Sequence, residues 1–439
     1  MISKRWIIGI FVIFLIVCGC SRQGSGLHTD LIESYEIEKI EYIRILYPYE
    51  DPASLSWLEK VLSQYEALHK NIKFRVESVS EENYKAILQK YYASGNIPDL
   101  YFVNNLKDVT YFVDTGFAID ITQEAFLRTN VEWSALNSVS YKDKVWAVPI
   151  QWQGFAVFYN KDIFLKSGVQ IPETLDEFII VCETLKKKGF TPITGGFKES
   201  KYVLNDLKAD ISQSGYINNT DWRISIEKNL YLWEDNFFRF REALERFDQR
   251  LQYYDNHVFD MNWVEATEHI AYGQAAMVIG GFEAVMEIMN HNQDVELGMF
   301  PFPWSNDIAK NNLPIKTDKI LIANAYSKNS ESLVDILNYF SSNDVAIQTQ
   351  LINKSLSVNR SIEKNDVAAF DGYFKYIEEG KKVDFSSYKS EFESDELEKI
   401  FKDTIVRFIY NPERNVSETV FYLDQEFQKI ISNDEDYNK

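Results

Sequence analysis

Tyr42-Ile43-Arg44-Ile45-Leu46-Tyr47 opens the rhythm that decides the fold. The run is rich in β-branched and aromatic residues, and behind it Leu55, Leu58, Val61, Leu62, Tyr65 and Leu68 recur at helical spacing. Ile72 to Val79 is extended again, Glu82 to Ala93 is helical, and Asp99-Leu100-Tyr101-Phe102-Val103 is a short apolar strand. Strand and helix in this alternation predict right-handed βαβ units around a mainly parallel sheet, an α/β fold. In such sheets ligands sit beyond the carboxyl ends of the strands. That rule points to Tyr47 to Asp51 and to Asn104-Asn105.

A second alternating region follows Pro149, with a strand at Phe155 to Tyr159 and a helix from Thr174 to Lys187 that Gly189 helps to end. Ala275 to Ile279 and Val295 to Phe300 read as strands. Pro301, Pro303 and Pro314 bracket a polar connection, and helical patterns at Ser330 to Phe340, Val345 to Asn353 and Ser417 to Ile431 carry the chain onward. A length of 439 residues suits two or three domains. No internal repeat is visible.

The first residues, MISKRWIIGIFVIFLIVCGC, read as an export signal of the lipoprotein kind: Lys4 and Arg5, an apolar core from Trp6 to Cys18, and small Gly19 before an acceptor Cys20. The apolar run is shorter than the ~20 residues that span hydrocarbon. The mature chain is expected to start at Cys20 and to hang from the membrane by lipid, on a polar tether over residues 20–40. Removing Lys4 and Arg5 with the signal takes the formal charge from -20 to -22. A surface this acidic repels nucleic acid. Of the three cysteines, only Cys182 remains as a free thiol, and its apolar helical setting reads as packing.

From Tyr42 to the C-terminus the order of motifs resembles the sugar-binding family 1 of extracellular solute-binding proteins of ABC importers, which includes maltose-binding protein. The resemblance is carried by Ala93-Ser94-Gly95-Asn96-Ile97-Pro98-Asp99, Gly116-Phe117-Ala118-Ile119-Asp120-Ile121-Thr122 and Lys144-Val145-Trp146-Ala147-Val148-Pro149. It continues with Phe158-Tyr159-Asn160-Lys161-Asp162-Ile163-Phe164, Gly168 to Phe178 and Gly273-Gln274-Ala275-Ala276-Met277 leading to Gly280-Gly281. Asn160 and Thr174 read as helix caps. The resemblance implies a two-lobed, type II periplasmic-binding-protein-like fold, its discontinuous lobes joined by a hinge: 1–19 signal, 20–40 tether, 41–149 plus 304–354 the first lobe, 150–303 plus 355–439 the second. It also implies a carbohydrate ligand, ABC permease subunits as partners, a monomer anchored on the extracytoplasmic face, no cofactor and no enzymatic role.

Sugar recognition needs flat apolar faces for pyranose C–H groups and fixed planar groups for hydroxyls. Gln151-Trp152-Gln153, past Pro149 at the first crossing, offers both. Asn104 and Asn105 follow the strand ending at Val103, and Glu50 and Asp51 follow the first strand. Compared with maltose-binding protein, Glu283 stands where that protein has a stacking tryptophan and Gln153 where it has a ligand-binding carboxylate, so maltose itself is in doubt. Trp304, after Phe302-Pro303, offers a replacement stacking face, with packing as the alternative. Trp57, Trp222, Trp233 and Trp263 read as packing.

The five histidines, His28, His69, His257, His269 and His291, have no zinc-ligand spacing. No nucleophile elbow, phosphate-binding loop or dinucleotide fingerprint is present. A glycoside hydrolase stays open, because two distant carboxylates can meet without leaving a local motif. A receptor that presents its solute to a sensor kinase, or an adhesin, also stays open.

Overall fold

The computed structural model describes residues 40–215, 222–235, 239–362, 367–384 and 394–433. The signal, Cys20 with its lipid, all but the last residue of the tether, His28 and the side chain of Trp222 lie outside the described residues.

β1 (Glu41–Tyr47) pairs in parallel with β2 (Ile72–Ser78) along its whole length and with β3 (Leu100–Val103) on its other side. Between β1 and β2 the helix Pro52–Leu68 starts where the Asp51 carboxylate accepts from Ser54 N at 2.8 Å, and Pro52 occupies the first turn, where no donor is needed. Of the predicted stripe, Leu58, Val61, Leu62 and Tyr65 are buried, Leu55 is half-buried and Leu68 is exposed at the helix end, while Trp57 joins the buried face. A small hairpin, β4 (Ser140–Tyr141) and β5 (Lys144–Val145), precedes β6 (Ala147–Asn160), the longest strand. β7 (Thr191–Thr194), β8 (Ala275–Gly281), β9 (Leu297–Phe300) and β10 (Leu313–Ala323) follow, then the short β11 (Leu356–Ser357) and β12 (Lys382–Asp384).

One sheet runs β2-β1-β3-β10-β6-β8-β7, with β11 and β9 also on β6 and β12 on β10. The expected mainly parallel sheet is corrected by its centre. β3 pairs antiparallel with β10, β10 with β6, and β6 with β8 and β9; only β2-β1-β3, β7-β8 and β10-β12 are parallel. The local strand-helix rhythm shows only neighbouring strands, whereas β10 arrives from the far end of the chain.

β6 belongs to both halves of the sheet. Ala147 to Gly154 pair with Ile322 to Ile315 of β10, and Phe155 to Asn160 pair with β8 and β9. Gly154 stands at the change of partner, where a Cβ would come within 2.6 Å of both the Phe282 ring and the Pro314 carbonyl. Beyond it the strand alternation separates two faces. Phe155, Val157 and Tyr159 enter a core with Cys182, Leu185 and Ile193, while Ala156 and Phe158 join the one continuous with β1, β3 and β10. Burial pushes the Cys182 thiol well up, which suits packing. Asn160 ends β6 as a helix cap, accepting from Ile163 N at 3.1 Å, and Thr174 caps the helix Leu175–Lys187.

The stretch around β11 stays with the first half: Leu356 pairs with Trp152, Val358 N donates to the Ile150 carbonyl, and Asn359 bridges Val131. In the second half, two buried ion pairs join the helices Ser200–Ser214 and Phe240–Arg250. Arg246 grips Asp210 through Nε at 2.7 Å and Nη2 at 2.6 Å, and one turn on Arg250 pairs with Asp206, which also takes the Tyr254 hydroxyl.

Candidate binding site

The pleat of β6 selects which side chains face the gap between the halves. Gln151 lies opposite Asp318 and Gln153 opposite Lys316, so these four share one face of the sheet, while Trp152, opposite Thr317, lies on the other. The Gln151 amide donates to Asp318 Oδ2 at 3.0 Å and accepts from Asn353 Nδ2 at 3.3 Å. From the end of β1, Tyr49 places its hydroxyl between Asn104 Oδ1 and Asp318 Oδ1, the latter at 3.2 Å. Lys319 is buried beside them: its ammonium donates to Ser54 Oγ at 3.1 Å and lies 3.8 Å from the centre of the Tyr49 ring.

Two residues further along the same face of β6, Gln153 is the organising group of a second set. Its Oε1 accepts from the backbone N–H of Gly154 at 2.8 Å and of Phe282 at 2.9 Å, and its Nε2 donates to Glu283 Oε2 at 2.7 Å. Asn205 donates to the other oxygen of Glu283 at 3.1 Å. One turn along the helix Glu283–His291, Glu287 accepts from Trp263 Nε1, and the Trp263 ring stacks on Tyr202 at 4.2 Å with 6° between planes. Burial pushes the Glu287 carboxyl up to about 7; the Trp263 hydrogen bond and Lys201 oppose the rise, while Glu283 and Asp51 add to it. Asp51 belongs to the first half and Glu287 to the second, so the two halves face each other within Coulombic range.

The sequence-predicted residues divide accordingly. Asn104, Gln151, Gln153 and Glu283 are brought together, and Asp51 lies at their edge, engaged as a helix cap; Glu50 is exposed beside it. Asn105 caps the helix Leu106–Asp114 by accepting from Asp108 N at 2.9 Å, which occupies the oxygen expected for a ligand. Trp152 is corrected to the core: 1% exposed, on the sheet face opposite the two amides, because neighbours along a strand point to opposite sides. Trp304 is corrected likewise. It is buried in the second half, its Nε1 donates to the Lys310 carbonyl at 2.9 Å, and Arg239 and Arg246 lie over its ring.

Tyr49 falls in the stretch Tyr47 to Asp51 to which the strand-end rule pointed, though it was not singled out, and Asn205, Glu287, Asp318 and Lys319 were missed. Asp318-Lys319 ends the polar stretch Lys316-Thr317-Asp318-Lys319 between apolar residues, a signal that was present. Asn205 and Glu287 left none, since their helices meet the site only through tertiary packing. Among the described residues no group of His, Cys, Asp and Glu has metal-site geometry, and no helix is long and apolar enough to cross a membrane.

The two-lobed α/β frame, its halves sharing one long strand, is the type II fold of similar solved solute-binding proteins. Residues 49–347 match the bacterial extracellular solute-binding protein family, and the chain belongs to that family. It is 24% identical over 306 residues to the multiple sugar-binding protein of Streptococcus mutans, covering 68% of each chain. To the melibiose/raffinose/stachyose-binding protein MelE of Bacillus subtilis it is 23% identical over 188 residues, 42% of this chain and 41% of that one. The solved structure of RafE in complex with raffinose is similar in fold, with a TM-score of 0.73 at 17% identity over 89% of this chain and all of that one.

Proposed function

We propose that this chain is the lipid-anchored receptor subunit of an ABC importer, acting on the extracytoplasmic face as a monomer, capturing a saccharide between its lobes and delivering it to membrane permease subunits. The observation that carries the reading is the ring of fixed planar hydrogen-bonding groups along the gap. Tyr49, Asn104, Gln151 and Asp318 form one set and Gln153, Asn205 and Glu283 a second beside it, each group already oriented by a partner. Such pre-oriented amides and carboxylates suit the hydroxyls of a neutral sugar. The sugar-binding relatives support the same class of solute, and raffinose, stachyose and melibiose are the first to test.

The lobes are best divided where β6 changes partner, at Gly154–Phe155 rather than at Pro149, with the return between Phe302 and Leu313 and a last crossing past Ile362 rather than at Ser355. Hinge bending there closes the cleft, and a solute touching both lobes stabilises the closed state by its differential contacts. No bond is made or broken in this scheme. Lipidation rests on the Gly19-Cys20 box, and mass spectrometry of membrane-extracted protein should find acyl chains on Cys20.

A calorimetric screen of the purified protein against mono- and oligosaccharides tests the proposal. Stoichiometric binding of at least one sugar with no product formed is expected. Turnover would instead favour a glycoside hydrolase, and absence of binding across the panel would contradict saccharide capture.

A further inference from the structure

Lys319 lies inside buried strand β10 with φ at +52°, in the left-handed region that residues with a side chain rarely adopt. The pairing with β6 is interrupted there: Asp318 still pairs with Gln151 and Ile320 with Pro149, but Lys319 has no register partner. The residue is 4% exposed, and among the described residues no carboxylate forms an ion pair with it. Ser54 Oγ at 3.1 Å and the Tyr49 ring at 3.8 Å are its near partners. Burial lowers its pKa, although Asp318, Asp51 and Glu283 pull the other way.

Both features oppose folding. A strand position chosen for stability alone would be extended and apolar, as the following Ile320, Leu321 and Ile322 are. A buried ammonium whose near contacts are a hydroxyl and a ring face, with carboxylates acting only at longer range, loses hydration that these contacts do not fully restore. Strain and uncompensated burial in one residue, next to the polar ring of the cleft, direct attention to what that residue holds in place. It holds Tyr49, whose hydroxyl meets Asn104 and Asp318, and it is the cation facing Asp318, Asp51 and Glu283.

We propose that Lys319 is a positioning residue of the binding site: its ammonium seats the Tyr49 ring and offsets the carboxylate charge of Asp318, so that both present fixed hydrogen-bonding atoms to a neutral polyhydroxylated solute. Lys319 itself is too buried to touch that solute. The proposal deepens the saccharide-binding reading and rests on it. Without the ammonium, the Tyr49 ring loses the cation it rests on, and the Asp318 charge that Lys319 offsets is left to repel the other carboxylates around the site.

The test uses full-length protein carrying Lys319→Met or Lys319→Gly. Both should melt at or above the wild-type temperature, the glycine variant higher because it also relieves the backbone. Affinity for raffinose, or for whichever sugar the screen finds, should fall tenfold or more. In Lys319→Met the Tyr49 ring, followed by NMR, should flip faster than in wild type, because the ammonium that seats it is gone. Unchanged affinity, or a loss of melting temperature that accompanies the loss of affinity, would overturn the proposal by reducing Lys319 to a structural residue. Should wild type bind no sugar at all, the functional reading fails on its own, and an unchanged Tyr49 ring-flip rate in Lys319→Met then overturns the positioning role separately.

Discussion

Gln153 makes three hydrogen bonds with one side chain, two of them to backbone donors on either side of the change of strand partner. Gln153→Leu keeps much of the volume but leaves Gly154 N without its side-chain acceptor and one oxygen of Glu283 without its donor, while Phe282 N keeps the Gly154 carbonyl and Glu283 keeps Asn205. Each buried group so exposed costs about 1–3 kcal/mol. Denaturant unfolding should therefore show a loss of that order, and sugar affinity should fall by tenfold or more. Trp152→Phe is the contrast: a stability loss from the core with affinity unchanged, since the indole lies on the far face of the sheet. Glu287 supplies a pH dependence. Its folded value of about 7 stands above the ordinary glutamate value of 4.5, so the folded chain holds this proton more tightly than the unfolded chain between those limits. Its contribution to stability therefore declines as pH rises through that window and levels off above 7. Glu287→Gln lacks the decline, so melting curves of the two proteins should diverge from pH 5 to 7 and run parallel from 7 to 8.

The helices Ser200–Ser214 and Phe240–Arg250 are tied by the Asp206–Arg250 and Asp210–Arg246 pairs at one-turn spacing. Arg246 also covers Trp304, and Arg250 covers Phe302, so the same cations pack the connection that leads from β9 to β10. Removing one partner of such a buried pair leaves the other charge uncompensated and costs about 3–5 kcal/mol. Arg250→Met alone should destabilise by that amount in chemical unfolding, and Asp206→Leu in the same background should recover much of it. Full additivity of the two losses would contradict the coupling. This element also shows where sequence reading stops. The apolar stripe of Pro52–Leu68, the caps at Asn160 and Thr174 and the strand at Leu100–Val103 were legible because each is a local pattern of period or terminus. Trp304 was misread because nothing in Phe302-Pro303-Trp304 announces two arginines arriving from a distant helix.

At the scale of the molecule, the family and the two-lobed frame were legible from motif order, yet the sheet was not. Its antiparallel centre depends on β10 slotting between β3 and β6, a pairing between residues far apart in the chain. The cleft was half legible for the same reason. Gln151 and Gln153 lie beside a recognisable crossing, while Asp318 and Lys319 come to them only through that long-range register. In the proposed function, solute capture closes one lobe on the other about Gly154–Phe155 and its neighbouring crossings. Small-angle scattering of the purified protein, with and without a saturating sugar from the screen, should show a smaller radius of gyration with sugar bound; an unchanged scattering profile at proven saturation would rule hinge closure out.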